Sequence, residues 1–146
     1  MAKVVRAAHG LGLEMMIEVI ASRGRRNWPD AIPAAVERLY DIGLEPDWWK
    51  LPPPITSGDW DRLEAIIDKR DPLCRGVMLL GLDAPEADVT AGFRLARGRK
   101  WAKGFAVGRT AFSRPAQAWL ENKIGDAELK RDVEAGYRRL IAAWKS

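Results

Sequence analysis

Gly76-Val77-Met78-Leu79-Leu80-Gly81-Leu82 is a run with no polar side chain, and Asp83-Ala84-Pro85-Glu86 follows it directly. A short apolar run bounded by turn residues reads as a strand buried on both faces, as in a parallel sheet. The four residues after it read as a capping box with proline in the first turn, opening a helix that runs to about Ala96. A buried strand feeding a helix is one βα step.

The same step recurs on either side. Upstream, Leu13 to Ile20 is a compact apolar run, and Asn27 caps a helix that runs to about Asp41 and stops at Gly43. Asp47 to Leu51 is a short strand ended by Pro52-Pro53-Pro54, after which Thr56 or Ser57 caps a helix to Lys69. Downstream, Gly104 to Val107 is a fourth strand. Ser113-Arg114-Pro115 starts a short helix to about Asn122, and a longer helix spans Asp126 to Trp144. Residues 2–10 form a helix ahead of the first strand. Strands therefore alternate with helices at a period of ~30 residues, the length of a βαβ step. The class is α/β with a parallel sheet in a single domain spanning residues 1–146. An open doubly wound sheet and four consecutive units of a barrel both fit this pattern. No glycine-rich nucleotide fingerprint follows any strand.

Composition narrows the function classes. Apolar residues make up 47% and charged residues 30% of the 146 positions, a balance that suits a globular domain. No run approaches the ~18 apolar residues of a membrane span, and no secretory signal opens the sequence. One cysteine, Cys74, has no internal disulfide partner, which suits a reducing cytoplasm. With His9 as the single histidine, a dedicated zinc site is not expected; nor is any other metal or cofactor. Net charge is +4, compatible with an anionic partner such as a phosphorylated metabolite.

Chemistry in parallel α/β folds gathers where strands exit into βα loops. Lys50 ends the second strand on the same side as Trp48, opposite Trp49 and Leu51. Facing the interior, its amine would sit over an apolar layer that favours the neutral nucleophile; facing outward, it is a lysine leaving a strand for water. Glu18 is in phase with Glu14, Met16 and Ile20 and needs a partner or a raised pKa. It serves either as a proton shuttle beside Lys50 or as a structural ion pair. Gly108-Arg109 leaves the fourth strand ahead of a helix, a combination suited to phosphate. Arg23, Arg25 and Arg26 lie on the same exit side. Arg97, Arg99, Lys100 and Lys103 lie at the opposite end and read as a solvated turn rather than a nucleic-acid patch. The seven tryptophans are spread along the chain, as core or interface groups would be.

Four segments carry a family resemblance: Pro46-Asp47-Trp48-Trp49-Lys50-Leu51; Arg70-Asp71-Pro72 with Arg75-Gly76-Val77; Gly81-Leu82-Asp83-Ala84-Pro85; and Lys103-Gly104-Phe105-Ala106-Val107-Gly108-Arg109-Thr110. The chain resembles the C-terminal aldolase-like domain fused to bacterial 5-dehydro-2-deoxygluconokinase in inositol catabolism, a relative of class I tagatose-bisphosphate aldolases. The resemblance extends through Trp119 and the Tyr137 to Trp144 segment. It implies strands five to eight of a (β/α)₈ barrel, half of a TIM barrel. It implies Lys50 as the Schiff-base lysine and Glu18 as its proton-transfer partner. Gly108 and Arg109, with Gly81 at the end of the third strand, then hold a substrate phosphate. The implied reaction cleaves 2-deoxy-5-keto-gluconate 6-phosphate to dihydroxyacetone phosphate and malonate semialdehyde.

Family members also carry strands one to four, which supply further catalytic acids and a lysine. A half barrel leaves two strand edges unpaired, so either a missing N-terminal half or a second copy is expected to close it. Inward residues at risk of lacking an opposing wall are Met16, Ile20, Val107 and Phe105. The alternative to catalysis is a half-barrel scaffold or binding module that self-associates. The expected partners are a phosphorylated small molecule and another half barrel, with neither nucleic acid nor membrane among them.

Overall fold

The computed structural model describes residues 2–20 and 28–146. Helix α1 (Ala2–Gly10) precedes four strands: β1 (Met16–Glu18), β2 (Trp48–Leu51), β3 (Gly76–Leu80) and β4 (Ala102–Ala106). Helices α2 (Trp28–Asp41), α3 (Ser57–Arg70), α4 (Glu86–Ala96) and α5 (Arg109–Leu120) follow the strands in turn, and α6 (Asp126–Lys145) closes the chain. The strands pair in parallel in the order β1-β2-β3-β4.

That order decides between the two architectures. Parallel connections are almost always right-handed, so strands laid down in simple succession place every helix on one face of the sheet. A doubly wound sheet reverses direction partway and covers both faces. Burial follows the first pattern. Along residues 14–20 the odd positions Met15, Ile17 and Val19 are covered, while Glu14, Met16, Glu18 and Ile20 are exposed. Ile17, Trp49, Leu51, Val77 and Leu79 join one core with Ile32 and Val36 of α2, Trp60 and Leu63 of α3, Phe93 of α4 and Leu140 of α6. The other face, with Lys50 and Met78 half-buried, has no helix layer over it among the described residues. The fold is α/β, four parallel strands alternating with helices as in half of a TIM barrel.

Local chemistry explains most element ends. Thr56 Oγ1 accepts the Asp59 N–H at 3.1 Å while the Asp59 carboxylate accepts the Thr56 N–H at 3.2 Å, a reciprocal cap that accounts for buried Asp59. After α2, Gly43 turns at φ +73°, and Leu44 N–H reaches back to the Leu39 carbonyl at 3.1 Å. This satisfies the last turn of the helix.

Four expectations are corrected. The expected Asp83 cap is absent: α4 begins after Pro85 with no side-chain cap, and Leu82 and Asp83 adopt φ of 48° and 61°. Helix α5 begins at Arg109 rather than Ser113, because the Gly108 carbonyl already accepts from Ala111 and Phe112. Pro115 therefore lies inside the helix, where the Ala111 carbonyl it cannot serve rests against Gly136 of α6. The ladder of β1 is three residues rather than the eight of Leu13 to Ile20, and β4 starts at Ala102 rather than Gly104. Finally, Phe105 and Val107 do not face an empty interior. Phe105 stacks with Phe93 and Trp144 of the helix layer at 4.8 and 6.0 Å, and Val107 is buried beside Gly81. The cause is a bulge opposite Val77/Met78, which inserts Lys103 and resets the alternation of β4. The expected Asn27 cap and the Arg23, Arg25, Arg26 cluster lie outside the described residues.

The strand-entry end is a network of satisfied charges. Asp47 accepts from Met15 N–H at 2.8 Å and from His9 Nε2 at 2.8 Å, and Glu14 pairs with Arg75 at 2.9 Å. Burial raises the Asp47 carboxyl, but its bonds to Met15 and His9 outweigh that and hold it below the usual range. A depressed carboxylate pKa contributes stability above its unfolded value of ~3.9 and loses it as pH falls through the lower folded value. Asp47→Asn should therefore lower the urea midpoint more at pH ~6 than at pH ~2, because the carboxylate's contribution is lost as pH falls through the lowered folded value. An equal loss at both would assign the effect to packing.

Candidate active site at the strand-exit end

Pairing of Glu18 with Lys50, of Lys50 with Met78 and of Met78 with Gly104 sets these residues in one row across the inner face. Lys50 Nζ donates to Glu18 Oε2 at 3.3 Å. Their side chains are 25% and 39% exposed, so the pair stands at an open mouth rather than in a closed interior. Behind Lys50, Trp49 points the other way and is fully buried, its Nε1 donating to Tyr40 Oη at 2.7 Å. The strand is thus anchored on its helix side by the residue next to the lysine.

The same mouth opens into a cleft of about 210 Å³ lined by Glu18, Lys50, Gly81, Asp83, Gly108 and Arg109, with Thr110 and Phe112. The fold thus brings together all five residues singled out from sequence. Gly81 is required by close packing: a Cβ there would lie 2.9 Å from both Thr110 Oγ1 and Val107 Cγ1. This contact draws the end of β3 against the start of α5. Arg109 is the first residue of α5 and is exposed, and no side-chain bond engages it among the described residues. A free guanidinium at a helix start suits an anion on electrostatic grounds. Asp83 also lines the cleft, and its one hydrogen bond is accepted from Ser113 Oγ at 3.4 Å. Sequence reasoning spent Asp83 on a helix cap and so missed it as a site residue.

The whole chain, residues 1–146, matches the model of a protein family described as "Uncharacterized protein conserved in bacteria (DUF2090)". The chain belongs to the DUF2090 family. No curated protein and no solved structure matches it.

In this DUF2090 chain two residues of the second basic cluster are taken up by structure. Arg99 binds Asp61, Glu64 and Ser57 of α3, and Lys100 binds Asp68 and lies over the Trp101 ring at 4.7 Å. Cys74 is buried, and burial pushes its thiol up to about 11, which makes it inert. Among the described residues no helix is long and apolar enough to cross a membrane.

Proposed function

We propose that this chain forms the lysine-bearing half of a class I, Schiff-base aldolase acting on a phosphorylated keto sugar acid in the cytoplasm. The observation that carries this reading is the Lys50–Glu18 contact at the strand-exit mouth, opening into the cleft that Arg109 also lines. The resemblance noted above suggests 2-deoxy-5-keto-gluconate 6-phosphate as the substrate.

The chemistry needs three things from the chain. Lys50 Nζ, having passed a proton to Glu18, adds to the substrate ketone; loss of water from the carbinolamine gives an iminium. The iminium accepts the electron pair of the breaking carbon–carbon bond as the Glu18 carboxylate, its first proton having left with the water, takes the β-hydroxyl proton, giving an enamine and an aldehyde. In this scheme Glu18 then passes that proton to the enamine carbon, and water hydrolyses the resulting iminium to free Lys50. Arg109 and the backbone N–H groups at the start of α5 would hold the phosphate, fixing the ketone relative to Nζ. No cofactor enters this scheme.

Borohydride in the presence of dihydroxyacetone phosphate tests it. Reduction of the iminium leaves a secondary amine, detected as a mass increase on the peptide carrying Lys50. A protein that gains no mass while remaining folded is a scaffold or binding module instead. Phosphate or sulfate should raise the melting temperature through linkage, and Arg109→Ala should remove that protection. Equal protection of the variant would move the anion elsewhere.

A further inference from the structure

Both outer strands of the sheet, β1 and β4, have one side without a neighbouring strand among the described residues. Apolar side chains are open on the inner face between them: Met16 of β1 and Ile20 just after it are 43% and 61% exposed, and Phe112 beyond β4 is 39% exposed. Free edges next to apolar surface invite a further polypeptide.

Charge indicates which polypeptide. Residues 11–20 contain Glu14 and Glu18 and no base, whereas residues 102–112 contain Lys103 and Arg109 and no acid. Neither Lys103 nor Arg109 has an ion-pair partner among the described residues. Joining two β1 edges would set carboxylate against carboxylate, and joining two β4 edges would set cation against cation. Only β4 against β1 brings opposites together. A two-fold axis along the barrel keeps all strands parallel and creates that seam twice.

We infer that the chain pairs with a second copy of itself, β4 of each lying parallel to β1 of the other to close an eight-stranded barrel. The register is specified. In a right-handed barrel of shear ~8, crossing half of the strands along a perpendicular row moves the register back by ~4 residues. The row Glu18, Lys50, Met78, Gly104 then continues onto the partner's Glu14. An even shift keeps inward residues beside inward residues. Lys103, next to Gly104, meets that carboxylate, and Arg109 comes level with the partner's Glu18. Each anion cleft thus gains a wall from the other copy, and both Lys50–Glu18 pairs share one mouth. The inference does not depend on the chemistry and stands even where Lys50 is unreactive.

Sedimentation equilibrium of the 146-residue chain at micromolar concentration should give twice 16.3 kDa. Lys103→Glu alone and Glu14→Lys alone each place like charges at both seams and should sediment at 16.3 kDa with far-UV circular dichroism unchanged. Mixed in equal amounts, they restore one native seam and one reversed seam, and the dimer should return. Glu14 also accepts from Trp48 Nε1 and pairs with Arg75, so a second variant guards against simple unfolding. Glu14→Cys with Lys103→Cys in one chain should oxidise to a covalent dimer. A wild-type monomer, a mixture that stays monomeric while both variants are folded, or a disulfide ladder of open polymers would each overturn the closed pair.

Discussion

Lys50→Ala is expected to gain no mass from borohydride and dihydroxyacetone phosphate, and to lose all carbon–carbon cleavage in the assembled enzyme. No other lysine lines the cleft among the described residues: Glu18 and Asp83 are acids, and a guanidinium such as Arg109 stays protonated. The loss should be chemical rather than structural. Lys50 lies on the open face, and its ion pair with Glu18 is partly exposed, an arrangement worth ~0–1 kcal/mol. The variant should therefore melt within a few degrees of wild type. Glu18→Gln should keep the trappable lysine but slow turnover ~10²–10⁴-fold, the range for loss of a general acid–base group. Peptide mapping settles the assignment: label on Lys103 or another lysine, persisting in Lys50→Ala, would sink it.

The largest effect on stability is expected from Trp49→Ala. Trp49 is fully buried, stacks edge-on against Tyr40 at 5.3 Å, and donates to Tyr40 Oη at 2.7 Å. Removing a buried tryptophan costs ~3–5 kcal/mol, a large fraction of the ~5–15 kcal/mol that holds a typical domain. The change also strips the Tyr40 hydroxyl of its donor in a region where burial already raises that hydroxyl's pKa. A urea titration should show the midpoint falling by at least about a fifth. A drop of under ~1 kcal/mol, typical of surface changes, would mean that the β2–α2 contact is not the keystone its burial implies.

Much of this was legible because apolar runs and their bounding residues are local. GVMLLGL and LEMMIEVI mark strands, and Thr56 and Gly43 mark helix ends, because each works through neighbours in sequence. Lys50 and Glu18 could be placed on one face by alternation together with the family resemblance, since the β1–β2 pairing carries no bulge. The errors arise where a distant contact overrides the local signal. Asp83 has the spacing of a cap, but the close approach of Gly81 to Thr110 and Val107 accompanies a turn through two left-handed residues. Pro115 looked like a helix start, yet Gly136, far along the chain, covers the carbonyl it strands. Phe105 was misassigned because the bulge at Lys103 is visible only once β3 is alongside. The His9–Asp47 bond joins residues 38 apart, and nothing near either residue announces it.

The two ends of the sheet carry different obligations. At the entry end His9, Asp47, Glu14, Arg75, Arg99 and Lys100 are each committed to a partner, so exchanging one leaves another stranded. At the exit end Arg109 is uncommitted and Asp83 nearly so. Substitutions there can change which molecule is held without loosening what holds the molecule up. A lineage exploring new substrates would therefore meet little resistance from folding along the mouth, and a great deal at the base.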